Sequence, residues 1–434
     1  MLYDRWRSQV RACPDQVAVV DLGLRRRWTF QQLFDAGEAN ANGVPGIHFP
    51  QGVSSDFIVE VLQAWRKGGV VCPLELGQAR PELSSLALPE IVHLKTTSAT
   101  TGNPRLIAFK ASQLIADCEN IVQTMGLRPE WPNLGIISLA HSYGFSNLVL
   151  PLLLHGIPLI LVGSALPEAV RGAAGGQEGV TLAAVPALWQ AWLDANCIPA
   201  NVRLAISAGA ALPLGFEQTV FERCGVKIHN FYGSSECGGI AYDRTTVPRT
   251  DSSLAGTALE GVKLTVADDG CIEVRSSAVA ETYWPKDSRE LGNGVFRTND
   301  VGEISGGCLY LKGRAGDQIN VAGRKVLPEA IEAVLAEHPQ VRACLAFGVP
   351  SNDAHRGETI VACVAGKAPQ LGHSLKQFAL THLPAWQVPR DWWFVDTLDV
   401  NERGKLSRAA WRQRYLDQAR GGSPLRISSA RSTT

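Results

Sequence analysis

Between Val17 and Ile206 short aliphatic runs alternate with segments whose apolar residues fall at helical spacing, and this alternation limits what the chain can fold into. Val17-Ala18-Val19-Val20, Ile136-Ile137-Ser138, Leu159-Ile160-Leu161-Val162 and Leu204-Ala205-Ile206 read as buried strands. Among the helical segments, one takes Thr29 as its N-cap. Another follows Ser55 and carries Phe57, Val61, Leu62 and Trp65 on one face. Such alternation predicts the α/β class, a large layered domain built on largely parallel sheets.

The pattern changes after about Gly256. Val262 to Val266 and Cys271 to Val274 flank Ala267-Asp268-Asp269-Gly270, a hairpin signal. Short strands continue to Leu309-Tyr310-Leu311. A smaller α+β unit then begins at about Arg314. Its first helix has Pro328 in the opening turn and Ile331, Val334 and Leu335 as an apolar stripe. Strands are expected at Ala343 to Val349, Ile360 to Val364 and Trp392 to Val395, with a helix near Leu375 to His382. The expected division is therefore a large domain over 1–313, a small one over 314–417, and a polar tail over 418–434 without fixed structure.

A chain of 434 residues exceeds one ordinary core. Lys+Arg and Asp+Glu both number 41, which removes the electrostatic case for nucleic acid or an acidic membrane as partner. The run Leu148 to Val162 is broken by Pro151, His155, Gly156 and Pro158 and falls short of the ~20 residues of a membrane span. The ten cysteines are scattered without a C-x-x-C pair, so they read as small core residues of a protein in a reducing cytoplasm. The first residues carry no apolar run of signal-peptide length.

Chemistry concentrates in a few segments. Thr96-Thr97-Ser98-Ala99-Thr100-Thr101-Gly102-Asn103-Pro104-Arg105 is dense in hydroxyls around a glycine and ends on a cation, a composition suited to wrapping a polyphosphate. It is not a Walker loop. Asn230-Phe231-Tyr232-Gly233-Ser234-Ser235-Glu236 follows, then Phe296-Arg297-Thr298-Asn299-Asp300. Gly313-Arg314-Ala315-Gly316-Asp317 runs on through Ala322-Gly323 to Glu332, and Asn401-Glu402-Arg403-Gly404-Lys405-Leu406-Ser407-Arg408 closes the series.

In this order the segments resemble the adenylate-forming superfamily of acyl-CoA synthetases, peptide-synthetase adenylation domains and luciferases. The resemblance runs from about Thr96 to Arg408, with a weaker echo in Trp28-Thr29-Phe30 and Lys67-Gly68-Gly69-Val70. It implies that Thr97, Ser98, Thr100, Thr101 and Gly102 hold the phosphates of ATP, with Arg105 as the loop's cation. Tyr232 and Gly233 would lie at the adenine, Ser235 at the α-phosphate, and Glu236 with Thr101 at Mg²⁺, a hard ion suited to oxygen ligands. Asp300 would accept both ribose hydroxyls, with Arg314 beside it. Lys405 would bridge the carboxylate and the α-phosphate from a mobile lid hinged near Gly316, and Ala322-Gly323 would line a channel for coenzyme A. The implied reaction joins a carboxylic acid to a thiol through an acyl-adenylate.

His141-Ser142-Tyr143-Gly144 resembles the family's H-x-x-G segment at the acyl pocket. Ala208, Gly209, Gly238 and Gly239 are small residues near the expected pocket floor. No aspartate stands nearby to pair with an α-amine, which favours a fatty or aryl acid. Ala99 replaces a glycine of the family's phosphate loop, Arg105 a lysine, Asn299 the glycine before the key aspartate, and Gly316 the usual hinge Asp or Lys. The stretch from Pro73 to Thr97 is short, so the N-terminal subdomain reads as abbreviated. Either coenzyme A or the phosphopantetheine arm of an acyl carrier protein could accept the acyl group. A catalytically silent adenylate-binding homologue is the reading of another class.

Overall fold

The computed structural model describes residues 1–39, 45–81, 83, 90–96, 105–284, 290–351, 357–366, 371–399 and 406–420. Within it the chain divides into two compact units. The first comprises Met1–Ala267, Glu273–Thr298 and Ile304–Tyr310; the second comprises Asp268–Ile272, Asn299–Glu303 and the chain from Leu311 onward.

The first unit carries a sheet whose central strands run parallel, as the alternation predicts. Ile228–Ser234, Val202–Ala208, Val180–Ala184, Asn133–Gly135, Leu159–Leu161 and Val17–Asp21 lie side by side in that order. Every residue of Val180–Ala184 is buried, the mark of a strand covered on both faces. Trp189 and Trp192 of the following helix fill the layer against it, edge to face at 5.3 Å. Their indole N–H groups end on the carbonyls of Ile206 and Ala165.

A second sheet orders Ile47–His48, Val70–Val71, Ile91–Thr96, Leu106–Lys110 and Thr282–Trp284. Its strands Ile91–Thr96 and Leu106–Lys110 are antiparallel, with Thr96 opposite Leu106. The expected phosphate loop is thus bracketed by a paired hairpin, although the loop itself lies outside the described residues.

Local chemistry accounts for several element ends. Thr29 caps the helix Phe30–Glu38, its hydroxyl accepting from Gln32 N while the Gln32 side chain returns to Thr29 N. The helix Ser55–Arg66 is capped from outside: buried Asp21 accepts from Ser55 N at 2.6 Å. Leu148 to Val162 is buried helix and strand, and among the described residues no helix is long and apolar enough to cross a membrane. None of the ten cysteines is in a disulfide.

One strand expectation is corrected. Pairing occurs at Asn133–Gly135 rather than Ile136-Ile137-Ser138, because the short partner Leu159–Leu161 is matched by Gly135 and the next bond, Val162 N to Gly135 O, ends the ladder.

In the second unit, Ala343–Pro350 and Glu358–Ala365 form an antiparallel pair extended by Asp391–Val395 in parallel. The helix Pro328–Ala336 begins at Pro328 and buries Ile331 and Leu335 against this sheet. The helix Leu371–His382 starts four residues before the apolar spacing indicates, and Leu371 joins the same core.

Buried histidines make the first unit sensitive to acid. His93 is fully buried between Phe145, 4.3 Å away, and Phe109, and neither ring nitrogen has a hydrogen-bond partner among the described residues. Burial, reinforced by the Lys95 charge, holds its pKa well below 6.5. The fold therefore keeps His93 neutral, whereas the unfolded chain takes up a proton below about pH 6.5. Stability should fall by about 1.4 kcal/mol per pH unit from this residue as pH drops from there towards the folded-state pKa. His93→Leu is expected to flatten the dependence of the urea midpoint on pH between about 6.5 and 5. An unchanged slope would place the acid sensitivity elsewhere.

Candidate active site

The segment Tyr232 to Glu236 sits where Ile228–Ser234 turns back into Gly238–Tyr242, with Gly233 opposite Gly239 and Ser234 opposite Gly238. Ser234 Oγ accepts from Glu236 N at 3.2 Å and so closes the turn. The Glu236 carbonyl accepts from Ala280 N at 2.9 Å. Tyr283, on the neighbouring sheet, donates its hydroxyl to Glu236 Oε1 at 3.1 Å. The Arg105 guanidinium lies 5.6 Å from the centre of the Tyr283 ring. Two residues singled out in sequence, Arg105 and Glu236, thus meet on a third that was not. Burial, with the Glu236 charge beside it, pushes the Tyr283 phenol up, so it stays protonated and acts as a donor.

A buried polar chain lies behind this turn. Lys95 Nζ donates to Ser142 Oγ at 3.1 Å and to Ser146 Oγ at 3.4 Å, and rests 4.5 Å from the centre of the Phe109 ring. Ser146 donates to Asp117 Oδ2 at 2.6 Å, and Asp117 Oδ1 accepts from Gly239 N at 3.0 Å. Lys95 and Asp117 are only 3% and 2% exposed, so both charges are removed from water.

The His141 segment is shaped by local contacts. His141 Nδ1 accepts from Tyr143 N at 3.3 Å. Gly144 is required by close approach: a Cβ there would lie 2.0 Å from the Ser138 carbonyl oxygen. Tyr143 lies 5.9 Å from Phe231, ring centre to ring centre. Ala208 ends the strand Val202–Ala208, and Gly209 follows in the left-handed region at φ +88°.

Gly238 and Gly239 face close neighbours where a Cβ would stand. A Cβ on Gly238 would fall 1.9 Å from Asp117 Oδ1, and one on Gly239 would fall 2.4 Å from Leu259 Cδ2. Their missing side chains serve close packing of the turn on its neighbours.

In the second unit Arg314 Nε donates to Asp300 Oδ1 at 3.1 Å, so the two expected ribose-side residues are joined. Gly316 lies in the 3₁₀ turn Ala315–Asp317, and a side chain there would meet nothing within 4 Å. Asp317 is bound by Arg408 at 2.6 Å. Ala322 and Gly323 form the two-residue turn between Ile319–Val321 and Arg324–Val326, both at positive φ (54° and 80°). Alanine tolerates that region at a cost of ~1 kcal/mol. Asn320 Oδ1 holds the turn by accepting from Gly323 N at 2.9 Å. Thr97, Ser98, Thr100, Thr101, Gly102 and Lys405 lie outside the described residues, as does Ala99.

Comparison with known proteins shows the family. Residues 54–284 match the family model described as AMP-binding enzyme, and residues 330–405 match its C-terminal domain. A probable 2-succinylbenzoate–CoA ligase of Mycobacterium tuberculosis is 27% identical over 86% of this chain and 99% of its own length. A feruloyl-CoA synthase of Amycolatopsis is 29% identical over 79% of this chain and 73% of its own length. Among solved structures, o-succinylbenzoate CoA synthetase of Bacillus subtilis with its acyl-adenylate intermediate superposes with a TM-score of 0.78. It is 19% identical, over 94% of this chain and 97% of that one. With a family model matching more than half of its length, the chain belongs to the AMP-binding enzymes.

Proposed function

We propose that the protein is an AMP-forming acid–thiol ligase that joins a fatty or aryl carboxylic acid to coenzyme A at the expense of ATP. The acid's carboxylate attacks the α-phosphorus, forming the acyl–phosphate bond as the bond to pyrophosphate breaks. The coenzyme A thiolate then attacks the acyl carbon and AMP leaves. The observation that carries this reading is the Arg105–Tyr283–Glu236 cluster, which unites a cation flanking the hydroxyl-rich loop with the carboxylate of the Tyr-Gly-Ser-Ser-Glu turn. The likeness to acid–CoA ligases along most of the chain supports the same reaction.

The residue roles follow the resemblance. Thr97, Ser98, Thr100, Thr101 and Gly102 receive the phosphates, Tyr232 and Gly233 the adenine, and Ser235 the α-phosphate. Asp300 and Arg314 receive the ribose, and Lys405 neutralises charge during adenylation. A large domain through Gly313 and a lid from Arg314 to Asp417, hinged near Gly316, would let Lys405 withdraw and the Ala322-Gly323 turn approach the thiol. His141, Ala208 and Gly209 border the acyl group.

The donor set fits Mg²⁺. Among the described residues no three His, Cys, Asp or Glu side chains gather as a dedicated cage, and Glu236 offers one carboxylate on the Tyr283 that also meets Arg105. That is how Mg²⁺ is usually held, by one or two carboxylates and the substrate's phosphates. Bound there with Glu236 and Thr101, it would neutralise phosphate charge. Tyr283 orients that carboxylate. Tyr283→Phe removes one hydrogen bond to a charged group, worth about 1.5 kcal/mol, and should raise the KM for MgATP roughly tenfold. The thermal midpoint should move little. An unchanged KM would remove Tyr283 from the site.

The reading is tested by exchange of labelled pyrophosphate into ATP across aryl, fatty and amino acids, followed by thioester assays with coenzyme A and with a holo-acyl carrier protein. Exchange with an aryl or fatty acid and thioester on coenzyme A are expected. Exchange with no acid would identify a silent homologue, thioester on the carrier alone would reassign the acceptor, and strong exchange with amino acids would overturn the pocket assignment.

A further inference from the structure

Lys95 is a buried cation of the first unit that the proposed chemistry does not use. It lies on the strand Ile91–Thr96 among Ile91, Leu94 and fully buried His93, where an apolar side chain would pack without desolvating a charge. Its ammonium has no carboxylate within salt-bridge distance among the described residues and is solvated by two hydroxyls and an aromatic face. Burial lowers its pKa, and Asp117, Cys237 and Glu236 act in the opposite direction. The protein thus retains a group that stability alone would not select.

Its connections give it a use. Lys95 immediately precedes Thr96, where the described strand ends and the hydroxyl-rich segment begins. One bond goes to Ser142, beside His141. The other goes to Ser146, whose own hydroxyl proton is directed to Asp117, and Asp117 holds Gly239 N, three residues beyond Glu236. The Asp117 carboxylate fills the space that a side chain on Gly238 would need, so the turn carrying Glu236 cannot shift without disturbing it. Three stretches far apart in sequence are therefore registered to one another through a single buried cation.

We propose that Lys95 is a positioning residue for adenylation, fixing the strand that enters the phosphate loop, the His141 segment and the Glu236 turn in the arrangement that accepts ATP. The inference rests on the ligase reading above and deepens it. Lys95 touches no substrate in this role. Its effect is geometric, and a displacement of about 1 Å in such a site can cost on the order of 100-fold in rate. Because the phosphate loop and Glu236 serve the pyrophosphate, which has left by the second half-reaction, the effect should fall mainly on the first.

The test uses the full chain and an acid that the wild type adenylates. Lys95→Met, which keeps the length and removes the charge, should raise the KM for MgATP in pyrophosphate exchange tenfold or more. Thioester formation from supplied acyl-adenylate should stay within twofold of wild type. Lys95→Arg should recover part of the loss. Ser146→Ala, which cuts only the link from Lys95 to Asp117, should give the same split at several-fold size, and it decides the matter if Lys95→Met does not fold. Wild-type kinetics in a folded Lys95→Met, or equal loss in both half-reactions, would overturn the inference while leaving the ligase reading intact. A wild type that exchanges pyrophosphate with no acid would remove both.

Discussion

Alanine in place of Lys405 is expected to lower acyl-adenylate formation by about 100- to 1,000-fold, the loss typical of removing one preorganised donor from developing charge. The lysine's proposed work is confined to the first half-reaction, in which negative charge builds around the α-phosphorus as the acid attacks. Once the adenylate exists, the remaining step needs the thiolate and a good leaving group, to which Lys405 contributes nothing in this scheme. The expected result is therefore a split: pyrophosphate exchange collapses, while thioester formation from supplied acyl-adenylate continues at a rate near wild type. Equal loss in both assays would contradict a lid that withdraws between steps.

Arg249→Ala should destabilise the first unit by about 3–5 kcal/mol, the usual cost of leaving a buried charge without its partner. Glu217 is fully buried and serves two cations: its Oε2 receives Arg249 Nε at 2.9 Å and its Oε1 meets Lys227 Nζ. Arg249 also donates to the carbonyls of Leu212 and Leu254. Lys227 in turn reaches Asp243 at 2.6 Å. Burial alone would raise the Asp243 carboxyl, but Lys227 and Thr245 hold it below the ordinary range. Removing Arg249 strands Glu217 Oε2 and the Leu212 carbonyl, while Lys227 remains on Oε1. Arg26→Ala is the control: its pair with Asp56 is exposed on both sides and should contribute less than about 1 kcal/mol. Denaturant midpoints of the two variants would separate the cases, and similar midpoints would show that the network adds little.

Much of the scaffold was legible because it depends on short-range chemistry. The Thr29 cap, the Pro328 helix start and the buried Leu159–Leu161 strand each follow from residues within a few positions of one another. The expected strand at Ile136 failed for the opposite reason: its position was decided by the length of a partner more than twenty residues downstream, which β-propensity does not carry. The site divides in the same way. Tyr232 to Glu236 could be read as a contiguous motif, whereas Tyr283 acts on Glu236 from another sheet and has no spacing signal. Lys95 and Asp117 looked like ordinary polar positions, since only the folded chain shows that both are shut away from water. Gly238 and Gly239 illustrate a further ambiguity. A missing side chain can mean room for a ligand or room for a neighbour, and the sequence cannot say which.

The overlap between a side chain at 238 and the carboxylate at 117 has an evolutionary corollary. The two positions are coupled: a side chain at 238 needs the carboxylate trimmed first and must also tolerate φ +70°, so substitutions there should arrive in pairs, in a fixed order, and favour asparagine at the first. Homologues with a bulkier residue at the first should carry a smaller one at the second, and a library randomising both together should yield functional members that neither single-site library contains.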